Sequence, residues 1–306
     1  MPQIELMKQQ NSDSYLAGIF YALACYIAWG VFPLYWKLLA RIPAQQILAH
    51  RIVWSVVFLI AMMAVTRNRN FLIYLKRPRT LALLFITGLL VGGNWFVYIY
   101  AVNHNHIVEA SLGYYINPLV NVLLGVLFLK ERLGKMQVIA VVFAIAGVTW
   151  LAIHNGRVPW ISLFLAVSFG LYGLFRKKAN LESLPGLLIE TMLLSPMALY
   201  YRWFMNQQGS GVFLHSSLLT NVLLILGGPV TAIPLFWFGK AATRIPLSTI
   251  GFIQYIAPTM QLIIGLLVYR EPFSPVYLAS FALVWIGLVI YSVSLVREYR
   301  KRKLLV

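Results

Sequence analysis

Acidic residues are scarce in this 306-residue chain. Asp and Glu number 8 against 25 Lys and Arg, and Asp13 is the sole aspartate. Charged residues of both signs reach only 11%, where a soluble domain carries about 25%. That shortage excludes an ordinary soluble enzyme or binding module. There is one cysteine, Cys25, so no intrachain disulfide can form and the fold needs no oxidising compartment. Cys25 lies in an apolar run and reads as a small packing residue. HExxH, a Walker A loop and paired intramembrane aspartates are all missing. Their absence argues against metalloprotease, nucleotide-driven and aspartyl-protease chemistry.

Apolar residues, in contrast, are abundant. They make up 60% of the chain, and mean hydropathy is +0.78. Ten apolar segments are expected to span a membrane: 15–38, 47–66, 81–102, 107–129, 136–153, 159–175, 187–204, 217–238, 247–269 and 275–296. Each is near the ~20 residues that cross a ~30 Å hydrocarbon layer as a helix. Continuous apolar runs satisfy their backbone polar groups there only as helices, and the alternation of barrel strands is absent. The first run lacks a small-residue cleavage site and is expected to remain as the first span. The expected fold is an all-α polytopic membrane protein of ten transmembrane helices.

The net charge of +17 would suggest nucleic acid in a soluble protein. Here the basic residues fall in breaks between apolar runs. With the N-terminus cytoplasmic, inner segments hold 19 Lys and Arg and outer segments hold 5. Both termini are therefore expected inside, and the 103–106 loop outside. Residues 297–306 form a basic cytoplasmic tail that fixes topology or touches anionic lipid.

Shifting the sequence by 140 aligns its halves without a gap. Gly30 meets Gly170, Gly88 meets Gly228 and Gly147 meets Gly287. Tyr115, Ile116, Pro118, Gly125, Leu127 and Glu131 meet Tyr255, Ile256, Pro258, Gly265, Leu267 and Glu271. Each half carries five spans, and five is odd, so the second must enter the membrane from the opposite side. The expectation is one membrane domain, 1–306, made of two five-helix inverted-topology repeats, 15–155 and 156–296. Such pairs serve many secondary transporters, with a binding site near the midplane.

Four ionisable residues inside spans stand out: His50, Arg51, Glu109 and Glu190. Arg51 and Glu109 both lie near outer span ends and are expected at similar depth. Three readings remain open for them. Arg51 snorkels while Glu109 favours its helix N-terminus; the two form an ion pair; or Arg51 receives an anionic substrate group and Glu109 is its partner or a proton carrier. Glu190 aligns with His50 under the 140 shift, so both are proton-coupling candidates. His104 and His106 lack a neighbouring acid or thiol and make a poor metal site. Tyr114, Asn117 and Asn121 share one helix face, which becomes Gln254, Ala257 and Gln261 in the second half. Pro118 and Pro258 interrupt the backbone beside it by freeing the carbonyls of Tyr114 and Gln254. With Asn94, Trp95 and Tyr98, these residues are the candidate substrate lining. The alternative is interhelical hydrogen bonding.

The segment at 111–133, SLGYYINPLVNVLLGVLFLKERL, resembles the fourth span of the ten-helix drug/metabolite transporter superfamily, EamA type. Its second copy, GFIQYIAPTMQLIIGLLVYREP at 251–272, does so too. AHRIVWS at 49–55 and GGNWFVYIYAVN at 92–103 are similar to the RarD subfamily. The resemblance implies a bacterial inner-membrane permease with ten helices and an inverted repeat, and no cofactor is expected. The expected function is secondary transport of a small metabolite or drug-like molecule by alternating access. A polytopic membrane enzyme or a non-transporting receptor is the alternative. Expected partners are a small-molecule substrate and the lipid bilayer; nucleic acid and a bound metal are not expected, and a homodimer is left open.

Overall fold

The computed structural model describes residues 2–67, 70–130, 133–179, 182–245 and 247–303. Among them the chain is helical throughout and contains no strand. In chain order the helices are α1 (Pro2–Gly30), α2 (Phe32–Lys37), α3 (Ala44–Thr66), α4 (Phe71–Leu75), α5 (Pro78–Asn103) and α6 (Ile107–Leu129). They continue as α7 (Lys135–Asn155), α8 (Trp160–Ala179), α9 (Ser183–Gln207), α10 (Leu218–Ala242), α11 (Leu247–Ile253), α12 (Ile256–Ile263) and α13 (Pro275–Lys303). A π-helical turn, Ile264–Val268, follows α12 directly.

Among the described residues, nine stretches are long and apolar enough to cross a membrane. The tenth expected span is α8, whose apolar part runs Trp160–Arg176. The protein is thus an all-α, multi-pass membrane protein. The side chain of Glu131, one member of the repeated block, lies outside the described residues, as do 304–306 of the basic tail.

Local chemistry sets the helix ends. Proline opens α2 and α5, where its missing N–H costs nothing. Ser217 caps α10 by accepting from the Thr220 N–H at 3.2 Å. α6 runs on through Pro118. In the second half the helix breaks at Gln254–Tyr255, between α11 and α12, four residues before Pro258. That is where a proline removes the donor that would have closed the turn.

Helix α7 packs on α13, α6 on α8, and α6 on α12. α3 packs on α9 and α10, α5 on α8 and α9, and α1 on α10 and α12. Two close approaches between α7 and α13 depend on glycine. A Cβ on Gly147 would lie 2.9 Å from the Ser280 carbonyl oxygen, and one on Gly287 would lie 2.7 Å from that of Ala140. Any larger residue would push α7 and α13 apart.

The loops expected outside gather at one end of the bundle. Lys37 donates to the Val102 carbonyl at 2.9 Å and lies 5.2 Å from the Tyr269 ring. Gln46 donates to the Ser210 carbonyl at 2.9 Å. Both oxygens of Glu271 accept backbone N–H groups that open α6, from Ile107 and Val108, at 2.8 Å each. Otherwise those donors would be orphaned at the start of a buried helix.

Candidate substrate site

Arg51 sits about seven residues into α3, or ~10 Å from its start at 1.5 Å per residue. It is only 4% exposed. Its Nε donates to Thr231 Oγ1 of α10 at 2.8 Å, and Thr231 in turn donates to the Gly227 carbonyl at 2.7 Å. Two indoles flank the guanidinium. Its carbon lies 4.1 Å from the Trp95 ring centroid on α5 and 4.9 Å from that of Trp36 on α2. These are cation–π distances. The phenols of Tyr35, Tyr98 and Tyr114 are within electrostatic reach, and the last two meet edge-on at 5.8 Å. Three buried polar atoms here have no hydrogen-bond partner: Arg51 Nη1, Tyr98 Oη and Trp36 Nε1.

Every carboxylate with a described side chain is engaged elsewhere. Glu190, fully buried on α9, accepts from Thr87 at 2.7 Å and Tyr172 at 3.3 Å, with Arg176 Nη1 at 3.4 Å. Glu271 caps α6. Glu182 accepts from Asn70. Glu109 accepts the Ile161 N–H of α8 at 3.3 Å. Arg51 and Glu109 therefore do not pair. The first turn of α6 directs Glu109 toward α8, whereas α3 directs Arg51 toward α10, α5 and α2. Sequence depth alone cannot see that rotation.

His106 Nδ1 lies 3.9 Å from Glu109 Oε2, beyond hydrogen-bond length. Partial burial, then the nearby Arg157, hold this imidazole below its ordinary value, while Glu271 pulls weakly the other way. Burial therefore works against the charged imidazole and against an ion pair with Glu109. Both residues line a cleft of about 310 Å³ with Arg157, Glu271 and Tyr277. A second cleft, about 300 Å³, is lined by Gln46, His50, Arg202 and His215 among others. His50 packs 5.0 Å from the Phe213 ring. It shares no contact with Glu190, with which it aligns in sequence.

The polar face of α6 and α12 is largely spent on neighbouring helices. Asn117 donates to the Ala166 carbonyl at 3.0 Å, and Asn121 to Asn117 Oδ1 at 3.2 Å. Asn94 donates to the Leu165 carbonyl at 3.0 Å and to Ser168 at 2.9 Å. Gln261 donates to the Trp29 carbonyl at 3.1 Å, leaving its Oε1 without a partner. Gln254 is half-buried beside Tyr255. Of the expected lining residues, Arg51, Trp95, Tyr98 and Tyr114 come together; Asn94, Asn117 and Gln261 tie helices. Trp36, Tyr35 and Thr231 join the site without having been expected there. No group of three or more His, Cys, Asp and Glu able to hold a metal occurs among the described residues.

Residues 16–153 match the EamA-like transporter family. An uncharacterized transporter, YojE of Bacillus subtilis, is 47% identical over 94% of this chain and 97% of its own. Protein RarD of Salmonella typhi is 43% identical over 93% and 97%, and Protein RarD of Escherichia coli 41% over 93% and 96%. A solved crystal structure superposes with a TM-score of 0.60 over 91% of this chain and 98% of its own, at 17% identity, which speaks to the fold alone. The chain belongs to the drug/metabolite transporter superfamily, as an EamA-type membrane transporter of the RarD subfamily.

Proposed function

We propose that this protein is a secondary transporter of the bacterial inner membrane that moves a small organic metabolite by alternating access. Its two five-helix halves form an inverted repeat, both termini are cytoplasmic, and substrate binds at Arg51, Trp95, Tyr98 and Tyr114 of the first half, where Arg51 meets Thr231 of the second. One observation carries the reading: helix contacts recur when the halves are exchanged. Gly147 approaches Ser280 while Gly287 approaches Ala140, and 280 and 140 are themselves one repeat apart. Gly30 approaches Met260 while Gly170 approaches Val120, again 140 apart. The α6–α8 contact is matched by α12–α1, and α3–α10 by α9–α5. Two halves that pack reciprocally can exchange conformations at small cost, which alternating access requires.

In this reading the outer contacts between halves form the gate. Glu271 on α6, Gln46 on Ser210 and Lys37 on Tyr269 must part when the site opens outward. The test uses a single cysteine at position 98 in a Cys25→Ala background. It should react with a membrane-impermeant thiol reagent from either side of a sealed vesicle. Reaction from one side alone contradicts alternating access. Protein-dependent exchange of compounds from a bacterial metabolite extract in proteoliposomes tests transport itself.

A further inference from the structure

We infer that the Arg51 site takes an organic monocarboxylate, whose carboxylate docks on the guanidinium and whose apolar or aromatic body lies against Trp36, Trp95 and Tyr114; this rests on the site assigned above. Three features fix the ligand class. First, Arg51 is a buried cation with no carboxylate partner among the described residues. An uncompensated charge at 4% exposure is costly unless a ligand supplies its counter-ion.

Second, the atoms left without partners around it are Arg51 Nη1, Tyr98 Oη and Trp36 Nε1. All three can donate. Their complement is a group rich in acceptors, and a carboxylate offers two oxygens with about four lone-pair directions. Third, the charged and titratable groups that act on Arg51 are Tyr114, Tyr98 and Tyr35, with no second Lys or Arg, so a single negative charge is matched and a phosphate dianion is not. No described carboxylate stands ready for an ammonium group either. A cationic ligand would meet Arg51 with like charge. The flanking indoles and phenols supply the apolar walls that an organic body needs and a small hydrated inorganic anion does not.

The cleft beside α3 has the same sign. Arg202 lines it and no acid does. An anion approaching from that side meets attraction and no like charge.

The test compares matched probes on the full-length protein in detergent: phenylacetate, phenylacetamide and phenethylamine, then butyrate, butyramide and butylamine. Affinity is read from the ligand-dependent rise in melting temperature and from calorimetry. Phenylacetate should bind about 10- to 100-fold more tightly than its amide, the effect of one charge-assisted contact. The amines should not bind. Arg51→Gln should abolish the acid-over-amide preference, and Arg51→Lys should keep it at lower affinity. Equal binding of acid and amide, a preference retained by Arg51→Gln, or no binding of either acid overturns the inference. Vesicle flux separates the two readings. An acid that binds but does not cross contradicts transport and leaves the site standing. Protein-dependent flux of neutral or cationic compounds without acid binding contradicts the site and leaves transport standing.

Discussion

Arg51 and Glu190 sit at two junctions, α3 against α10 and α9 against α5, that the proposed repeat makes counterparts, and the chain treats them in opposite ways. Each reaches across to a threonine on the partner helix, Thr231 for Arg51 and Thr87 for Glu190. There the likeness ends. Glu190 also receives Tyr172 and Arg176, so its charge is neutralised within the fold. Arg51 receives only the faces of Trp36 and Trp95. Cation–π contacts soften the cost of burial but do not cancel a full charge. With Arg51 as the proposed counter-charge of the substrate, one junction would serve structure and the other binding.

The largest effect should follow from breaking the completed junction. Glu190→Ala takes the buried carboxylate away from Arg176 and removes one acceptor each from Thr87 and Tyr172. It should cost about 3–5 kcal/mol, read as a fall in melting temperature in detergent. Glu190→Gln keeps acceptor and shape and should cost clearly less. If both variants melt like the native protein, Glu190 is not the structural member of the comparison.

The packing of the two junctions offers a sharper contrast. A Cβ on Gly228 would lie 2.3 Å from the Trp54 carbonyl oxygen, while one on Gly88 would lie 3.3 Å from that of Glu190. Gly228→Ala must push backbone aside and should cost about 1–3 kcal/mol. Gly88→Ala needs a shift of a few tenths of an ångström and should cost less. Thermal unfolding of the two single variants ranks them; the reverse order would mean that the α3–α10 crossing is the looser one.

Much of this was legible beforehand, and the reasons differ by feature. The spans follow from apolar runs, because hydrocarbon forbids any other backbone arrangement. Residues 107–129 were expected as a span, and α6 covers Ile107–Leu129. The π turn at Ile264–Val268 left no sequence signal, since its residues are as apolar as their neighbours. The helix break at Gln254–Tyr255 was signalled by Pro258, but the matching Pro118 leaves α6 continuous. Which residues share a helix face could be read for Asn117 and Asn121, but not what that face meets. Asn117 meets a carbonyl of α8. Arg51 was visible as an intramembrane cation, yet its flanking Trp36 comes from a short helix after a break at Val31. Glu271 stood in the repeated block, so a cap on α6 could have been sought there.

At the end of the bundle expected outside, Glu271→Ala should cost about 1–2 kcal/mol by uncapping α6. Amide hydrogen exchange should speed at Ile107 and Val108 before anything changes at Thr87 or Glu190. Equal protection in variant and native protein would remove Glu271 from the gate. The smallest effect concerns His106. Its pKa lies below the ordinary 6.5 when folded, so the unfolded chain binds the proton first as pH falls. Its contribution to stability is full above pH 6.5 and is lost as pH drops through that value toward the lower folded pKa. His106→Asn should flatten the melting-temperature profile across that window. A steeper profile would mean that Glu109 holds the imidazole charged.

One side-by-side melt tests the contrast between the junctions most directly. Native protein, Arg51→Met and Glu190→Met are unfolded with and without saturating phenylacetate. Without ligand, Glu190→Met should fall sharply while Arg51→Met holds or rises, because removing an unpaired buried charge relieves desolvation. With ligand, native protein should rise and Arg51→Met should not move. An Arg51→Met variant that melts as low as Glu190→Met, or one that phenylacetate still protects, would contradict the assignment of Arg51 as the substrate's counter-charge.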